Sequence, residues 1–234
     1  MVKQTTKTIK CAVASDFHLK EIETPAADLL LVAGDMTMKG SHSELAWYER
    51  WLVRQPQKHK VWIAGNHDWG FERNPHVARE IEQRTGSIYL EDSLAEVEGL
   101  RIWGSPVTPM FFNWAFMRDR GEEIRKHWLK IPENLDILVI HGPPSGVLDK
   151  TAFGDNAGCQ DLLDILVNRL TNPPRYLIFG HIHEGHGQTI METHNGKQIK
   201  AINASICDHH YKVAHQAITF DIEVPDRQAR ETAV

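Results

Sequence analysis

The sequence contains little cysteine and none of the spacings that cysteine-based sites use. Three cysteines, Cys11, Cys159 and Cys207, occur among 234 residues, and no two of them form a Cys-x-x-Cys pair. An odd number of widely separated cysteines argues against a disulfide framework and against a thiolate zinc site. We expect all three to be buried and to behave as small hydrophobic side chains.

Long apolar segments and basic clusters are also absent. The longest apolar run, Leu29–Ala33, has the length of a strand and cannot cross a bilayer, and the polar start over residues 1–10 does not resemble a signal peptide. We therefore expect a cytoplasmic protein without membrane contact. Lys and Arg total 26 against 31 Asp and Glu, a net charge of −5. This balance disfavours an extended nucleic acid as partner, although it does not exclude a small nucleotide.

No feature of the sequence divides the chain into parts. It has no Ser/Gly-rich linker, no low-complexity tract and no internal repeat. Because α/β chains of this length often form one unit, we predict a single domain over residues 1–234.

Histidine, in contrast, is abundant. The chain has 14 histidines, and several follow short apolar runs together with Asp, Asn or Gly. The runs and their polar clusters are Ile9–Ser15 before Asp16 and His18, Leu29–Ala33 before Gly34 and Asp35, Val61–Ala64 before Gly65, Asn66, His67 and Asp68, Leu135–Ile140 before His141, and Tyr176–Phe179 before Gly180, His181 and His183. Each run has strand length and is nearly all apolar, as in strands buried on both faces.

Helical patterns separate these runs. Ser41–Glu44 has the signature of a capping box, and apolar residues recur at helical spacing after it. Further helices are predicted over residues 76–84, 121–130 and 159–170. Alternation of strands with helices predicts parallel strands joined by crossovers.

Two regions depart from that alternation. Ile88–Leu90 and Leu100–Trp103 are strand-like with no room for a helix between them. Near the carboxyl end, Gln188–Thr193 and Lys197–Ile202 flank an Asn-Gly turn, which predicts a hairpin, and Val213–Ile222 is expected to extend it. We predict a parallel-rich sheet and an antiparallel-rich sheet, stacked and with helices outside.

The polar clusters have the residue types of a metal site. Parallel strands present their carboxyl ends at one sheet edge, where ligands of open α/β sheets bind. Carboxylate, imidazole and amide donors suit a divalent first-row metal such as Mn²⁺, Fe²⁺, Zn²⁺ or Co²⁺. Asp16 and His18, and likewise His181 and His183, are two residues apart and point to one side of an extended chain. We expect the glycines before the ligands to be required where the backbone crowds the site.

The clusters, taken in order, resemble a known family. Asp-x-His, Gly-Asp, Gly-Asn-His-Asp, His-Gly and Gly-His-x-His span residues 16–183 and resemble the calcineurin-like metallophosphoesterase superfamily. Residues 103–106, 114–116, 141–144, 180–185 and 202–205 are similar to its metallophosphoesterase-domain (MPPED) subfamily, which is associated with phosphodiesterase activity, including on cyclic nucleotides. The resemblance implies an α/β fold, a four-layer α/β/β/α sandwich of two stacked mixed sheets flanked by helices.

The same resemblance implies a complete set of metal ligands. One divalent metal ion would be held by Asp16, His18, Asp35 and His183, and a second by Asp35, Asn66, His141 and His181, so that Asp35 bridges. Some members of the subfamily carry a small residue in place of the first His of Gly-His-x-His; His181 is present here, which implies a fully liganded second metal. Mn²⁺ is the expected cofactor in vitro.

The implied chemistry is phosphoester hydrolysis. A hydroxide bridging the metals would attack phosphorus in line, because metal coordination lowers the pKa of water. Asn66 and His67 would contact the substrate, and His67 would stabilise the developing charge or protonate the leaving oxygen, with Asp68 orienting its ring. Two divalent ions, Asp16, Asp35, a hydroxide and a phosphodiester sum to a neutral centre, whereas a monoester leaves one negative charge in excess.

Another part of the sequence argues against a protein phosphatase. Those enzymes extend Gly-Asp to Gly-Asp-x-x-Asp-Arg-Gly, in which the Arg clamps a monoester. Here Met38 and Lys39 replace the acid and the Arg, and Lys is not an equivalent clamp. The leading hypothesis is a phosphodiesterase acting on small or nucleotide-like substrates.

Several alternatives stay open. A phosphomonoesterase or nuclease of the same superfamily is the nearest rival, and a metal-binding scaffold without catalysis is another. The aromatic segment 103–116 either lies near the metals as a base-stacking wall or anchors a loop in the core. His186, His209 and His210 are more typical of the surface than of a third metal site, and Asn203 is structural or faces the substrate. The sequence does not indicate the oligomeric state.

Overall fold

The chain forms short strands joined by helices and loops in a computed structural model that describes residues 6–225. In chain order the strands are β1 (Thr6–Ala14), β2 (Leu29–Ala33), β3 (His59–Ile63), β4 (Ile88–Tyr89), β5 (Ser93–Val97), β6 (Leu100–Ser105), β7 (Thr108–Pro109), β8 (Met117–Arg118), β9 (Ile137–Ile140), β10 (Tyr176–Phe179), β11 (Gly187–Glu192), β12 (Gln198–Asn203) and β13 (Ile218–Pro225). The helices are α1 (His42–Arg54), α2 (Trp69–Arg73), α3 (Pro75–Thr85), α4 (Glu122–Trp128) and α5 (Gln160–Asp164), with a π-helical turn at Ile165–Arg169 and a 3₁₀ turn at His183–Gly185.

The strands form two mixed sheets and a separate β7–β8 pair. One sheet has five strands in the order β13-β1-β2-β3-β4, and the other has six in the order β11-β12-β10-β9-β6-β5. In the first sheet β1 to β4 are parallel and β13 runs antiparallel to β1. In the second sheet β12, β10, β9 and β6 are parallel, and β11 and β5 pair antiparallel at the two edges.

The predicted division into a parallel-rich and an antiparallel-rich sheet was therefore wrong. β9 and β10, which precede His141 and His181, belong to the second sheet and not to the sheet of β1, β2 and β3. A strand buried on both faces has the same apolar pattern in either sheet, so the sequence pattern could not assign it. The ligand-bearing strands are divided between the two sheets.

The carboxyl-terminal region was partly predicted. β11 and β12 form the expected antiparallel hairpin around the Asn-Gly turn. The predicted third strand, Val213–Ile222, was wrong in extent and partner. β13 begins at Ile218 and belongs to the first sheet, where it pairs with β1. The pairing runs from Val13 opposite Ile218 to Thr6 opposite Pro225.

Alternating side-chain directions build the four layers. Along β1, Ile9, Cys11 and Val13 point into a core between the two sheets, whereas Ala12 and Ala14 point outward. The outer face of the first sheet packs against α1 and α3. The outer face of the second sheet packs against α4, α5 and the π-helical turn. The α/β/β/α sandwich expected from the resemblance is confirmed.

Local helix signals were confirmed with one difference. Ser41 caps α1, since its hydroxyl accepts from the Glu44 amide at 3.4 Å and the Glu44 carboxylate accepts from the Ser41 amide at 3.0 Å. The predicted helix over residues 159–170 begins as expected, but it widens into the π-helical turn, where the Leu170 amide donates to the Ile165 carbonyl at 3.1 Å.

The two sheets are joined beside the carboxyl end of β1. The Ser15 amide donates to the Ala204 carbonyl at 2.9 Å, and the Ile206 amide donates to the Ser15 carbonyl at 2.8 Å. Residues 204–206 follow β12 of the second sheet, so this junction brings the end of β1 and the neighbouring Asp16 against the second sheet.

Other general expectations have mixed outcomes. The three cysteines are buried and unpaired, as predicted. Within residues 6–225, none of the helices combines the length and the apolar character needed to cross a membrane. The single-domain prediction covers residues 1–234; residues 1–5 and 226–234 lie outside the described part, and it stays a prediction.

Candidate metal centre

The first group of converging ligand atoms consists of Asp16, His18 and His183. The His183 Nε2 atom lies 3.4 Å from Asp16 Oδ1 and 3.4 Å from His18 Nε2. Asp16 and His18 follow β1 of the first sheet, and His183 follows β10 of the second. The group therefore exists because the two sheets meet at this edge, and it could hold a metal ion.

The second group consists of Asp35, His141 and His181, with Asn66 beside it. His141 Nε2 lies 3.3 Å from Asp35 Oδ2 and 2.9 Å from Asn66 Oδ1. The rings of His141 and His181 have their centroids 5.1 Å apart. Carboxylate, amide and imidazole donors thus meet at a second point that could hold a metal ion.

Asp35 lies between the two groups. The same oxygen, Oδ2, is 3.3 Å from His141 Nε2 and 4.0 Å from His18 Nε2. Its other oxygen accepts a hydrogen bond from the His67 amide at 2.8 Å. Asp35, His18 and His67 form a third possible group, which shares two members with the first two.

Backbone carbonyls orient three of the imidazoles. His18 Nδ1 lies 3.2 Å from the Thr37 carbonyl oxygen. His141 Nδ1 lies 2.8 Å from that of Ala33, and His183 Nδ1 lies 2.8 Å from that of Asp208. A carbonyl oxygen can only accept, so each Nδ1 carries a proton and each Nε2 points inward, where it can bind a metal ion in its deprotonated form. The residues present therefore fit divalent metal ions.

Two further hydrogen bonds hold the Asp16 carboxylate in place. It accepts from the His181 amide at 2.9 Å and from the Ser205 hydroxyl at 2.8 Å. Both partners come from the second sheet's side of the junction. Ser205 lies in a stretch that resembles the subfamily, but sequence reasoning gave it no role.

Four of the candidate ligands have left-handed backbone conformations. The φ angles of Asp16, His18, Asp35 and His181 are 52°, 41°, 55° and 67°. Such angles are unfavourable for residues with a Cβ and persist where the surrounding structure imposes them, often at functional sites.

The glycines before the ligands are explained by close packing. A Cβ added to Gly65 would overlap the Asp35 carboxylate, and one added to Gly180 would overlap the Asp16 carboxylate. Gly34 has in addition a φ of +97°. The expectation that the backbone crowds the site at these positions is confirmed.

The carboxylates favour positive charge at two separate points. Burial opposes ionisation of both Asp16 and Asp35, yet the neighbouring histidines outweigh burial and hold the pKa of each carboxyl well below its usual range. Burial lowers the pKa of both His141 and His183. The charge of Asp35 outweighs burial at His141 and raises its pKa to about 9. Asp16 has the same effect on His183, whose pKa is also raised to about 9. Cations are therefore favoured beside each carboxylate.

The other two imidazoles are neutral donors. Burial lowers the pKa of His18 to about 4, against the opposing charge of Asp35. Burial and the nearby His141 lower the pKa of His181 to about 4. Neutral imidazole is the form that binds a metal.

His67 lies at the edge of the two groups and faces the cleft above them. Its Nδ1 is 2.9 Å from the Met38 carbonyl, and its Nε2 is 3.5 Å from the Tyr211 hydroxyl. The ring stacks on Trp114, with centroids 4.4 Å apart and an interplanar angle of 27°. Because Nδ1 donates to a carbonyl, Nε2 is the atom that can meet a substrate.

The expectation that Asp68 orients the His67 ring was wrong. The Asp68 carboxylate accepts from the amides of Asp35, Thr37 and Gly65 at 2.9, 2.9 and 2.8 Å, and from the Thr37 hydroxyl at 2.7 Å. Burial and the charge of Asp35 raise its pKa to about 6. Asp68 therefore ties the loops after β2 and β3 together, while the Met38 carbonyl holds the His67 ring.

Four of the candidate ligands line a cleft of about 390 Å³, namely Asp35, Asn66, His181 and His183. Tyr211 forms part of its wall and contacts the ring edges of His18, His67 and His183. Tyr211 was missed by sequence reasoning, because it lies in a polar loop without a motif. Its backbone has a left-handed conformation, with a φ of 59°.

The features left open by the sequence divide between structural and site roles. In segment 103–116, Trp103 and Phe116 are buried, whereas Trp114 stacks on His67 and Phe111 lines the cleft. Asn203 is structural, since its amide donates to the Ile182 carbonyl at 2.8 Å and its oxygen accepts from the Ser205 amide.

The three histidines outside the motifs take different places. His186 stacks on His215 with centroids 4.0 Å apart, and its Nδ1 contacts the Ser205 carbonyl. His209 is exposed and lines the cleft, whereas His210 is exposed beside it. Among residues 6–225, none of the three belongs to a group that could hold a metal.

The chain resembles known proteins in sequence and in fold. Residues 10–185 match the family model for calcineurin-like phosphoesterases. Human metallophosphoesterase domain-containing protein 1 is 35% identical over 235 residues, covering 90% of this chain and 70% of that protein. A UPF0046 protein of Caenorhabditis elegans is 33% identical over 244 residues, covering 95% and 84%. The crystal structure of TT1561 of Thermus thermophilus aligns with 92% of this chain and 99% of its own chain, with a TM-score of 0.53. At 14% sequence identity, this similarity concerns the fold alone.

Proposed function

Because the chain belongs to the calcineurin-like phosphoesterase family and is a phosphoesterase, we propose that it hydrolyses small phosphodiesters, including nucleotide-like diesters and cyclic nucleotides. Asp16, His18, Asp35 and His183 would hold one divalent metal ion, and Asp35, Asn66, His141 and His181 would hold a second. Mn²⁺, Fe²⁺, Zn²⁺ and Co²⁺ all match this donor set, and Mn²⁺ is the choice for assays.

One observation carries the proposal. Asp35 Oδ2 lies within 4.0 Å of an inward Nε2 atom from each group, His18 on one side and His141 on the other. A carboxylate in that place can serve two cations at once. Bound there, the metals supply Lewis-acid activation of water and neutralise charge on the phosphoryl oxygens.

The chain's own contribution beside the ligands comes from His67. Its Nδ1 proton is held by the Met38 carbonyl at 2.9 Å, which leaves Nε2 directed to the cleft. A protonated Nε2 there can donate to the leaving oxygen or to the developing charge on phosphorus. Stacking on Trp114 restricts rotation of the ring, so the donor is placed before the substrate arrives.

Tyr211 adds a second polar group beside His67. Its hydroxyl is 3.5 Å from His67 Nε2, and its ring stands edge-on against His18 at a centroid distance of 4.8 Å. A substrate oxygen between the two side chains would accept hydrogen bonds from both.

The surroundings of the cleft favour diesters over monoesters. Within residues 6–225, no Lys or Arg lines it, and Lys39, at the position of the protein-phosphatase Arg, is exposed. A monoester dianion carries more negative charge than a diester and is usually held by Arg. The lack of an Arg in the cleft lining should therefore weaken monoester binding more than diester binding.

A paired assay tests the proposal. Initial rates are measured on bis(p-nitrophenyl) phosphate and p-nitrophenyl phosphate with Mn²⁺, using Asp35→Asn as control. We expect a higher kcat/KM for the diester and loss of both activities in the variant. Preference for the monoester would support a phosphomonoesterase instead, and activity on neither would support a metal-binding scaffold. A nuclease would require cleavage of DNA, which the net charge of −5 disfavours.

A further inference from the structure

Two exposed phenylalanines border the metal cleft. Phe111 and Phe153 are 61% and 93% exposed, yet both line the cleft that contains Asp35 and His67. They come from separate loops, one between β7 and β8 and the other between β9 and α5. Large apolar side chains that converge on a functional cleft from independent loops are typical of ligand-binding surfaces.

Hydrogen bonds of backbone amides fix the two loops that carry these exposed rings. Phe153 lies in a tight turn in which the Thr151 amide donates to the Asp155 carbonyl and the Gly154 amide donates to the Thr151 carbonyl, both at 2.9 Å. Phe111 follows β7, and its amide donates to Met117 Sδ at 3.2 Å. The two loops therefore present their rings without burying them in the core.

The charges around the cleft limit what these rings can meet. Glu184 and the apolar residues Ala152 and Ile182 also line it, and no Lys or Arg does so among residues 6–225. A second phosphate group or a nucleic acid strand would find no Lys or Arg here and, besides the metal ligand Asp35, the carboxylate of Glu184. A flat, uncharged aromatic group attached to a single phosphoester would instead contact ring faces and apolar side chains.

We propose that Phe111 and Phe153 form an aromatic subsite that binds the aromatic substituent of a phosphoester whose phosphoryl group lies at the metal centre. The subsite rests on the proposed function, because it places the phosphoryl group there. Stacking of one ring on an aromatic side chain gives about 5-fold to 100-fold in affinity. Substrates with aliphatic substituents gain none of this.

Binding of two phosphonates tests the subsite without requiring turnover. Calorimetry on the Mn²⁺-loaded protein gives dissociation constants for phenylphosphonate and methylphosphonate, which share the charged group and differ in the ring. We expect tighter binding of phenylphosphonate by ~5-fold or more. That preference should fall toward unity in the Phe111→Ala, Phe153→Ala double variant.

Phe112→Ala is the matched control. Phe112 is 76% exposed and adjoins Phe111, but it does not line the cleft, so this variant should keep the preference. Equal or undetectable binding of both phosphonates by the wild type, or a preference that survives in the double variant or is lost in the control, would overturn the subsite. A phenyl preference in a protein that hydrolyses no phosphoester would uphold the subsite and overturn the phosphodiesterase proposal.

Discussion

The Nε2 atoms of His18 and His183 face each other at 3.4 Å. Each ring donates its Nδ1 proton to a backbone carbonyl, that of Thr37 for His18 and that of Asp208 for His183. Because the pKa of His183 is about 9 and that of His18 is about 4, the metal-free protein holds one proton between these two nitrogen atoms at neutral pH. A metal ion that binds both nitrogen atoms would replace this proton.

Metal binding should release protons from His141 and His183. Against the effect of burial, Asp35 and Asp16 raise the pKa of these residues to about 9, so both carry a proton at neutral pH in the metal-free protein. A ligand histidine must be deprotonated, so the apparent affinity for Mn²⁺ rises with pH until about 9 and falls as pH is lowered. Calorimetric titrations at neutral pH in buffers of different ionisation enthalpy measure the released protons, and a value of zero would contradict this account.

Replacement of His67 should affect turnover and not metal content. His67→Ala removes the Nε2 donor, and we expect kcat for an aryl phosphodiester to fall by ~10²–10⁴-fold. Bound metal, measured by elemental analysis after dialysis, should be unchanged. His210→Ala is the control, since His210 is an exposed histidine outside the cleft lining. Loss of metal from His67→Ala would instead assign His67 as a ligand.

Removal of the Tyr211 hydroxyl should cause a smaller loss. Tyr211→Phe keeps the ring contacts with His18 and His67 but deletes the group 3.5 Å from His67 Nε2. A hydrogen bond of ~0.5–1.5 kcal/mol corresponds to a decrease of ~2–10-fold in kcat/KM. Tyr176→Phe removes a hydroxyl that contacts the Asp221 carbonyl elsewhere and should leave kcat/KM unchanged. Equal rates for wild type and Tyr211→Phe would exclude a role for this hydroxyl.

Asp68 should prove important for stability. Asp68→Asn places an amide group among three backbone donors and the Thr37 hydroxyl, so at least one donor loses its acceptor. We expect the free energy of unfolding to fall by ~2–4 kcal/mol in chemical denaturation. Asp155→Asn, an exposed substitution, should change it by less than ~0.5 kcal/mol. An unchanged stability for Asp68→Asn would restore a purely catalytic role.

Much of the site could be predicted because each ligand follows a strand that has a recognisable apolar pattern. The runs before Asp16, Asp35, Asn66, His141 and His181 all became strands with boundaries close to those expected. The apolar pattern could not indicate which sheet each strand joins, because strands of both sheets are buried on both faces. That assignment depends on long-range pairing, such as the junction of Ser15 with residues 204–206.

The direction of individual side chains could not be predicted from the sequence either. His67 and Asp68 are neighbours in sequence, yet one faces the cleft and the other accepts bonds from loops behind it. Tyr211 and Phe153 reach the cleft from loops that lack any motif. Contacts of this kind depend on loop geometry, which composition and periodicity do not encode.

The most direct test of a paired metal site bridged by Asp35 is electron paramagnetic resonance of the Mn²⁺-loaded protein. We expect two Mn²⁺ per chain with the spectrum of an exchange-coupled pair, because Asp35 Oδ2 lies between His18 Nε2 and His141 Nε2. Asp35→Asn should lose the coupling. A wild-type spectrum of isolated Mn²⁺ with one ion per chain would contradict the paired site.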